Sequence, residues 1–224
     1  MLKAEKNVSR PINLVTAEQD ALYLEAIRQK DTGKLRRMVN AAAEEAGLGG
    51  VGQHATKTHF REFDAEKAQG GNRGWGFYFS DVFFPGSYGE INYSARIPSD
   101  EVLVNWNKMF RDQPETAQRV LTEMMAELNP ETPNFEEYTG ESFYRTFICE
   151  FDSQRAASEA LDRAGIKGIK YGEWRPERLE RGDRDGRVIF SSQNIKPADL
   201  ILRDRGQEII PLSKRFSGTY TSQA

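Results

Sequence analysis

The chain is short of several things that whole classes of protein need. It has one cysteine, Cys149, in 224 residues. No intramolecular disulfide can form and a cysteine-rich zinc site is excluded, which suits a reducing compartment. It has two histidines, His54 and His59, so a mechanism resting on three histidine ligands is excluded. Basic charge is not in excess: 31 lysines and arginines against 34 acids leave a net charge of -3. That balance gives no electrostatic pull towards duplex DNA or an anionic membrane. No apolar run approaches the ~18 residues of a membrane helix, and the opening MLKAEKNVSRP holds no apolar signal core. What is present suffices for a folded core, with 38% hydrophobic and 29% charged residues.

The length points to one domain with a small appendage. Residues 1–15 read as a leader, and residues 17–30 and 32–46 as two helices. Thr16 with Gln19 has capping-box spacing, Asp31 or Thr32 caps the second helix, and Gly47 is its natural stop. Leu35, Met38, Val39, Ala42, Ala43 and Ala46 form one apolar stripe, so the pair is expected to be a helical hairpin used for packing. GLGGVG (47–52) reads as a hinge, since it lacks the spacing of a phosphate-binding loop.

From Val51 the chain turns aromatic and glycine-rich. Strands are expected at 76–84, 91–97 and 102–106, then helices at 114–128, 140–151 and 153–165. Further strands are expected at 166–171 and 187–190, with a last extended segment at 195–202. The charged run 172–186 reads as a solvated loop. Helices segregated from strands, without regular βαβ alternation, argue for an α+β fold. A Rossmann fold is disfavoured because no GxGxxG stands at a strand–helix turn. The expected divisions are a leader and hairpin at 1–48, a main domain at 49–216 and a tail at 217–224.

The stretch Gln53–Asp81 is densest in chemistry-bearing residues. It opens with His54 followed by the small residues Ala55 and Thr56, which would let a ligand approach the main chain closely. It passes through Phe60, Phe63 and Asp64, then a glycine-rich connection at Gly70, Gly71 and Gly74. It ends in a strand with Tyr78 between Phe77 and Phe79. Alternation puts the two phenylalanines on one face and Tyr78 on the other, so phenylalanines in a core would turn Tyr78 towards a cleft.

This order resembles the ADP-ribosyltransferases of the diphtheria-toxin and poly(ADP-ribose) polymerase type. The matching segments are His54-Ala55-Thr56, then Gly76-Phe77-Tyr78-Phe79-Ser80-Asp81, then Ser87-Tyr88-Gly89. Gly165–Tyr171 and Arg187–Phe190 with Ile195 look like that family's closing strands. The likeness is strongest to the version found in phage polyvalent and head-associated proteins, which carry a helical hairpin before the histidine and a tail like IIPLSKRF (209–216). It covers residues 17–216.

The resemblance implies an α+β domain built on a split antiparallel β-sheet and preceded by a short helical hairpin. It implies cleavage of the nicotinamide–ribose bond of NAD, the co-substrate, and transfer of one ADP-ribose to a macromolecule. A protein acceptor is favoured over nucleic acid, no membrane is involved, and the setting is the cytoplasm of a bacterial host or the virion. His54 would bind ribose hydroxyls, Ala55 would grip the carboxamide through its backbone, and Thr56 would support the motif. Tyr78 and Tyr88 would flank the nicotinamide ring. These roles require His54, Tyr78 and Tyr88 to converge on one slot.

The family's third acidic position falls here on Gly186, leaving Asp185, Asp183 and Glu180 as the nearest acids. A one-residue shift would make Asp185 catalytic. The alternatives are an acid from elsewhere, activity without one, or an inactive NAD-binding or virion-associated structural module. His59 with Glu62 matches no common zinc spacing. Cys149, in an apolar helical pattern, is expected to be a buried and inert thiol.

Overall fold

The computed structural model describes residues 15–83, 88–128, 135–172 and 185–216. Most of the charged run 172–186, the leader and the polar tail lie outside the described residues. Two compact units divide the chain: Met1–Gly49 with Asp199–Ala224, and Gly50–Ala198. The boundary expected at 216 therefore falls after Ala198.

The first unit shows why. Helices α1 (Ala17–Arg28) and α2 (Thr32–Glu45) form the hairpin. The Thr16 hydroxyl accepts from the Gln19 amide while the Gln19 side chain accepts from the Thr16 amide, so both halves of the capping box are made. Leu35, Val39, Ala42 and Ala43 turn inwards as their spacing predicts. The hairpin alone has nowhere to bury them. Leu200, Ile209, Leu212 and Phe216 complete this core, the last two on and beside a one-turn helix at Leu212–Arg215. Arg215 is buried with them because backbone oxygens satisfy its charge: it donates to Leu200 O at 2.8 Å and to Asp199 O.

The second unit is an open, mostly antiparallel sheet with helices packed on it. Its strands are β1 (Gly50–Thr56), β2 (Gln69–Gly71), β3 (Gly74–Ser80), β4 (Ile91–Ile97), β5 (Leu103–Asn105), β6 (Gly168–Gly172), β7 (Asp185–Ile189) and β8 (Lys196–Pro197). The order is β5-β6-β7-β3-β1-β4-β8, with β2 paired to β3. Among the described residues only the β5–β6 pair is parallel. Residues 50–52, expected in a hinge, instead open β1, where a Cβ on Gly52 would collide with the Phe79 side chain. The segment expected to stay extended to 202 pairs with β4 only at β8.

Helices α3 (Glu115–Leu128), α4 (Gly140–Glu150) and α5 (Gln154–Ala164) share one core with Val104, Trp106, Ile169 and Val188. A second core, of Phe77, Phe79, Ala95, Ile97, Leu103, Ile189 and Ile195, lies on the other face. Both sheet faces are therefore covered. Cys149 is exposed, contrary to the buried thiol expected. α4 buries Phe143, Tyr144 and Phe147, and position 149 turns outwards from that side. No helix among the described residues is long and apolar enough to cross a membrane.

Candidate functional site

Strand β1 is central, and its two neighbours hold it very differently. With β4 it pairs over seven consecutive positions, Gly50 with Ile97 through Thr56 with Ile91. With β3 it shares one register pair, Gln53 with Ser80. The ladder between β1 and β3 opens just beyond that pair, at His54 and Ala55. There the backbone groups of an interior strand stand outside a ladder, and such groups need other partners.

His54 spans this opening. Its Nδ1 lies 2.9 Å from the carbonyl oxygen of Tyr78. A carbonyl can only accept, so Nδ1 carries the proton and Nε2 is the unprotonated nitrogen of the neutral ring. The ring packs edge-on against Phe60 and Phe63, at 5.9 and 5.2 Å between centroids, and 5.6 Å from Phe79. Burial lowers the imidazole pKa, and the bond to Tyr78 offsets this only in part. Phe60 is itself held by Tyr93, which stands opposite His54 on β4. The Tyr93 hydroxyl accepts from Phe60 N and donates to Phe60 O, both at 2.8 Å, and the rings stack at 4.0 Å.

Tyr78 lies on the opposite face, as strand alternation requires. Phe77 and Phe79 are core residues, 5% and 3% exposed. Tyr78 does not face an open cleft, however, because helices cover its side too and it packs against the helix-side core. Its hydroxyl donates to Gly74 O at 2.7 Å, and burial pushes its pKa up to about 12. Extending the register from Gln53–Ser80 sets Ala55 opposite Tyr78, so these two share a face across the opening. Thr56 closes β1, with its hydroxyl 3.3 Å from Thr58 O. Tyr88 is 72% exposed.

The expected convergence therefore does not hold among the described residues. The structure brings Ala55 and Tyr78 together on one face. It places the His54 ring on the other face and leaves Tyr88 in solvent. His54 reaches the Ala55–Tyr78 side through the Tyr78 backbone, not through its ring.

The acidic position is also decided by alternation. Gly186 pairs with Ser80 on one side and Tyr171 on the other, which puts it on the Tyr78 face. A Cβ on Gly186 would overlap the Tyr171 ring. The space a side chain at position 186 would need is filled by this tyrosine. Asp185, one residue earlier, stands on the His54 face, so the one-residue shift does not deliver its carboxylate to Tyr78. Asp185 is instead 2.7 Å from Lys170 Nζ. It belongs to a charged chain in which Asp100 bridges Lys170 and Arg187, each at 2.8 Å, and Arg187 also meets Asp81. Burial works against ionised Asp100, but the hydrogen bonds and charges of Arg187 and Lys170 outweigh it and hold its carboxyl below the usual range. Asp183 and Glu180 lie outside the described residues.

Sequence reasoning missed Tyr171 as a site residue, and it missed the aromatic cover of His54. The F-x-x-F spacing at Phe60 and Phe63 was a visible signal for that cover. The partner of Gly186 had none, because it lies on a strand adjacent only in the folded sheet. No protein-family model, curated protein or solved structure matches this chain.

Proposed function

We propose that this chain binds NAD at the opening between β1 and β3 and transfers a single ADP-ribose from it to a macromolecular acceptor, protein in preference to nucleic acid. One observation carries the reading: the ladder opens at His54-Ala55, bridged by an imidazole–carbonyl bond, with the Ala55 backbone and Tyr78 facing each other across it. A strand segment paired with β4 but not with β3 leaves the N–H and C=O groups on its β3 side for a carboxamide, which has one acceptor and one donor group of its own. The adjacent Tyr78 ring is partly buried against the helix-side core, and in this reading a pyridinium stacks on the part of it that stays exposed. In this reading His54 is a positioning residue that fixes the distance between the two strands.

The chemistry asked of such a site is modest in parts. Breaking the glycosidic bond leaves positive charge on the ribose, and the neutral nicotinamide departs. A site that holds the dinucleotide bent and places negative potential near the ribose lowers that barrier. A carboxylate that contacts a ribose hydroxyl and activates the acceptor would add general-base catalysis. Gly186 cannot supply one, and Asp185 is held by Lys170 on the other face. These two facts favour a second reading, in which the chain binds NAD without turning it over.

Purified protein incubated with NAD labelled in the adenylate half, in a bacterial lysate, separates the two. Label on a macromolecule together with nicotinamide release supports transfer. Saturable NAD binding by calorimetry with no release supports the binding module. Absence of both binding and release sinks the NAD reading altogether.

A further inference from the structure

A cavity of about 360 Å³ lies apart from the His54 face, between the β2–β3 turn, the segment after β5, and helices α4 and α5. That volume is near the lower bound of ~300–1,000 Å³ for small-molecule sites. Its wall includes two guanidinium residues, Arg73 and Arg145, with Asn72, Gln154 and Trp106, and no carboxylate. We propose that this cavity binds a phosphate group, free or carried by a nucleotide. The proposal does not depend on NAD binding at the β1/β3 opening.

Arg73 carries the argument. It is the second residue of a two-residue turn, since Gly71 pairs with Gly74. Its guanidinium lies over the Trp106 ring at 5.2 Å and the Tyr171 ring at 5.8 Å. Stacking uses the flat face of a guanidinium and leaves its N–H edge pointing sideways, pre-oriented for a tetrahedral oxyanion. Among the described residues Arg73 forms no ion pair, whereas most arginines nearby do. Arg145 is less committed: it sits on the exposed side of α4 and pairs with Glu141 at 2.8 Å, so part of its charge is already answered. Trp106 is 2% exposed, and its indole N–H is itself buried and has no acceptor among the described residues, so the ring serves the cavity as the surface on which Arg73 stacks. Gln154, the first residue of α5, lines the cavity with its amide N–H already donated to Gly71 O at 3.3 Å, which ties the helix to the turn. A phosphate group matches these two guanidinium groups better than a carboxylate does. It presents three acceptor oxygens to two separated forks, where a carboxylate presents two in one plane.

The turn can hold this geometry because its glycines leave room for neighbouring side chains. A Cβ on Gly74 would meet the Tyr144 ring at 2.9 Å, and the same residue has φ +111°, which favours glycine. The Tyr78 hydroxyl bonds to Gly74 O, so the turn is anchored from below.

Calorimetric titration of the full chain with inorganic phosphate, ADP and adenosine, against chloride at matched ionic strength, tests the site. The expected result is saturable binding of phosphate and ADP and none of adenosine. Tighter binding of ADP than of phosphate identifies a nucleotide ligand, and equal binding identifies the free anion. Arg73→Gln should weaken phosphate binding at least tenfold with an unchanged circular dichroism spectrum. Arg145→Gln, at an exposed helix position, should weaken it less, and it carries the test should the Arg73 variant fail to fold. No saturable phosphate or ADP binding by the natural protein overturns the proposal, as does binding unmoved by either substitution.

Discussion

Replacing His54 distinguishes a residue that bridges two strands from one that merely fills space. The imidazole donates Nδ1–H to Tyr78 O at 2.9 Å and packs against three phenylalanine rings. His54→Ala leaves the part-buried Tyr78 carbonyl without that donor, which costs ~1–3 kcal/mol, and we take about 2 kcal/mol. For a chain of this size each kcal/mol moves the melting temperature by ~2–4 °C, so the alanine variant should melt ~4–8 °C lower. His54→Asn places an amide N–H close to where Nδ1 stood. It should recover about 1 kcal/mol of the loss, the net worth of an ordinary hydrogen bond. Thermal and urea unfolding of the three proteins measure this, and nicotinamide release from NAD is followed in parallel. A positioning role predicts that alanine lowers release strongly and asparagine restores part of it together with the stability. Equal stability of the two variants would refute the bridging bond, and full NAD turnover in the alanine variant would refute the placement of the site.

Two further outcomes are expected. Burial depresses the His54 pKa in the folded chain below 6.5, so between those two values only the unfolded chain takes up the proton. The His54 contribution to stability is therefore whole above pH 6.5 and declines as pH falls through 6.5 towards the lower folded value. Urea unfolding across that range should show the natural protein losing stability faster than His54→Asn, and parallel curves would contradict the assignment. Gly186→Ala should cost ~1–3 kcal/mol by overpacking against the Tyr171 ring. In a Tyr171→Ala background most of that cost should vanish, and strictly additive losses in the double-mutant cycle would rule the overlap out.

Much of the local structure could be read directly. The capping box at Thr16 and Gln19, the αL stop at Gly165 and the apolar stripe of α2 all follow from interactions within a few residues. So did the facing of Phe77 and Phe79 against Tyr78, because strand alternation is a local rule. The errors came where the rule needed to know what covered each face. Tyr78 was expected to face a cleft because one buried face was assumed, and the helices bury the other as well. Cys149 was expected inside because it stands among Phe147, Ile148 and Phe151, and only packing chooses which stripe of α4 is buried.

The order of residues alone determined the longer helices, α1 to α5, several of the strands and which residue types chemistry could draw on, since period, caps and turns act over short separations. By contrast β1 before His54, β2 and the one-turn helix at Leu212–Arg215 took their form from pairing and packing. The tertiary structure decided which of those residues meet. Pairing β1 with β3 at one position opens the sheet at His54, pairing β6 with β7 lays Tyr171 over Gly186, and the β2–β3 turn carries Arg73 onto Trp106. Each of these contacts joins side chains from strands or turns distant in sequence, and the register that aligns them is set by the packing of the whole sheet.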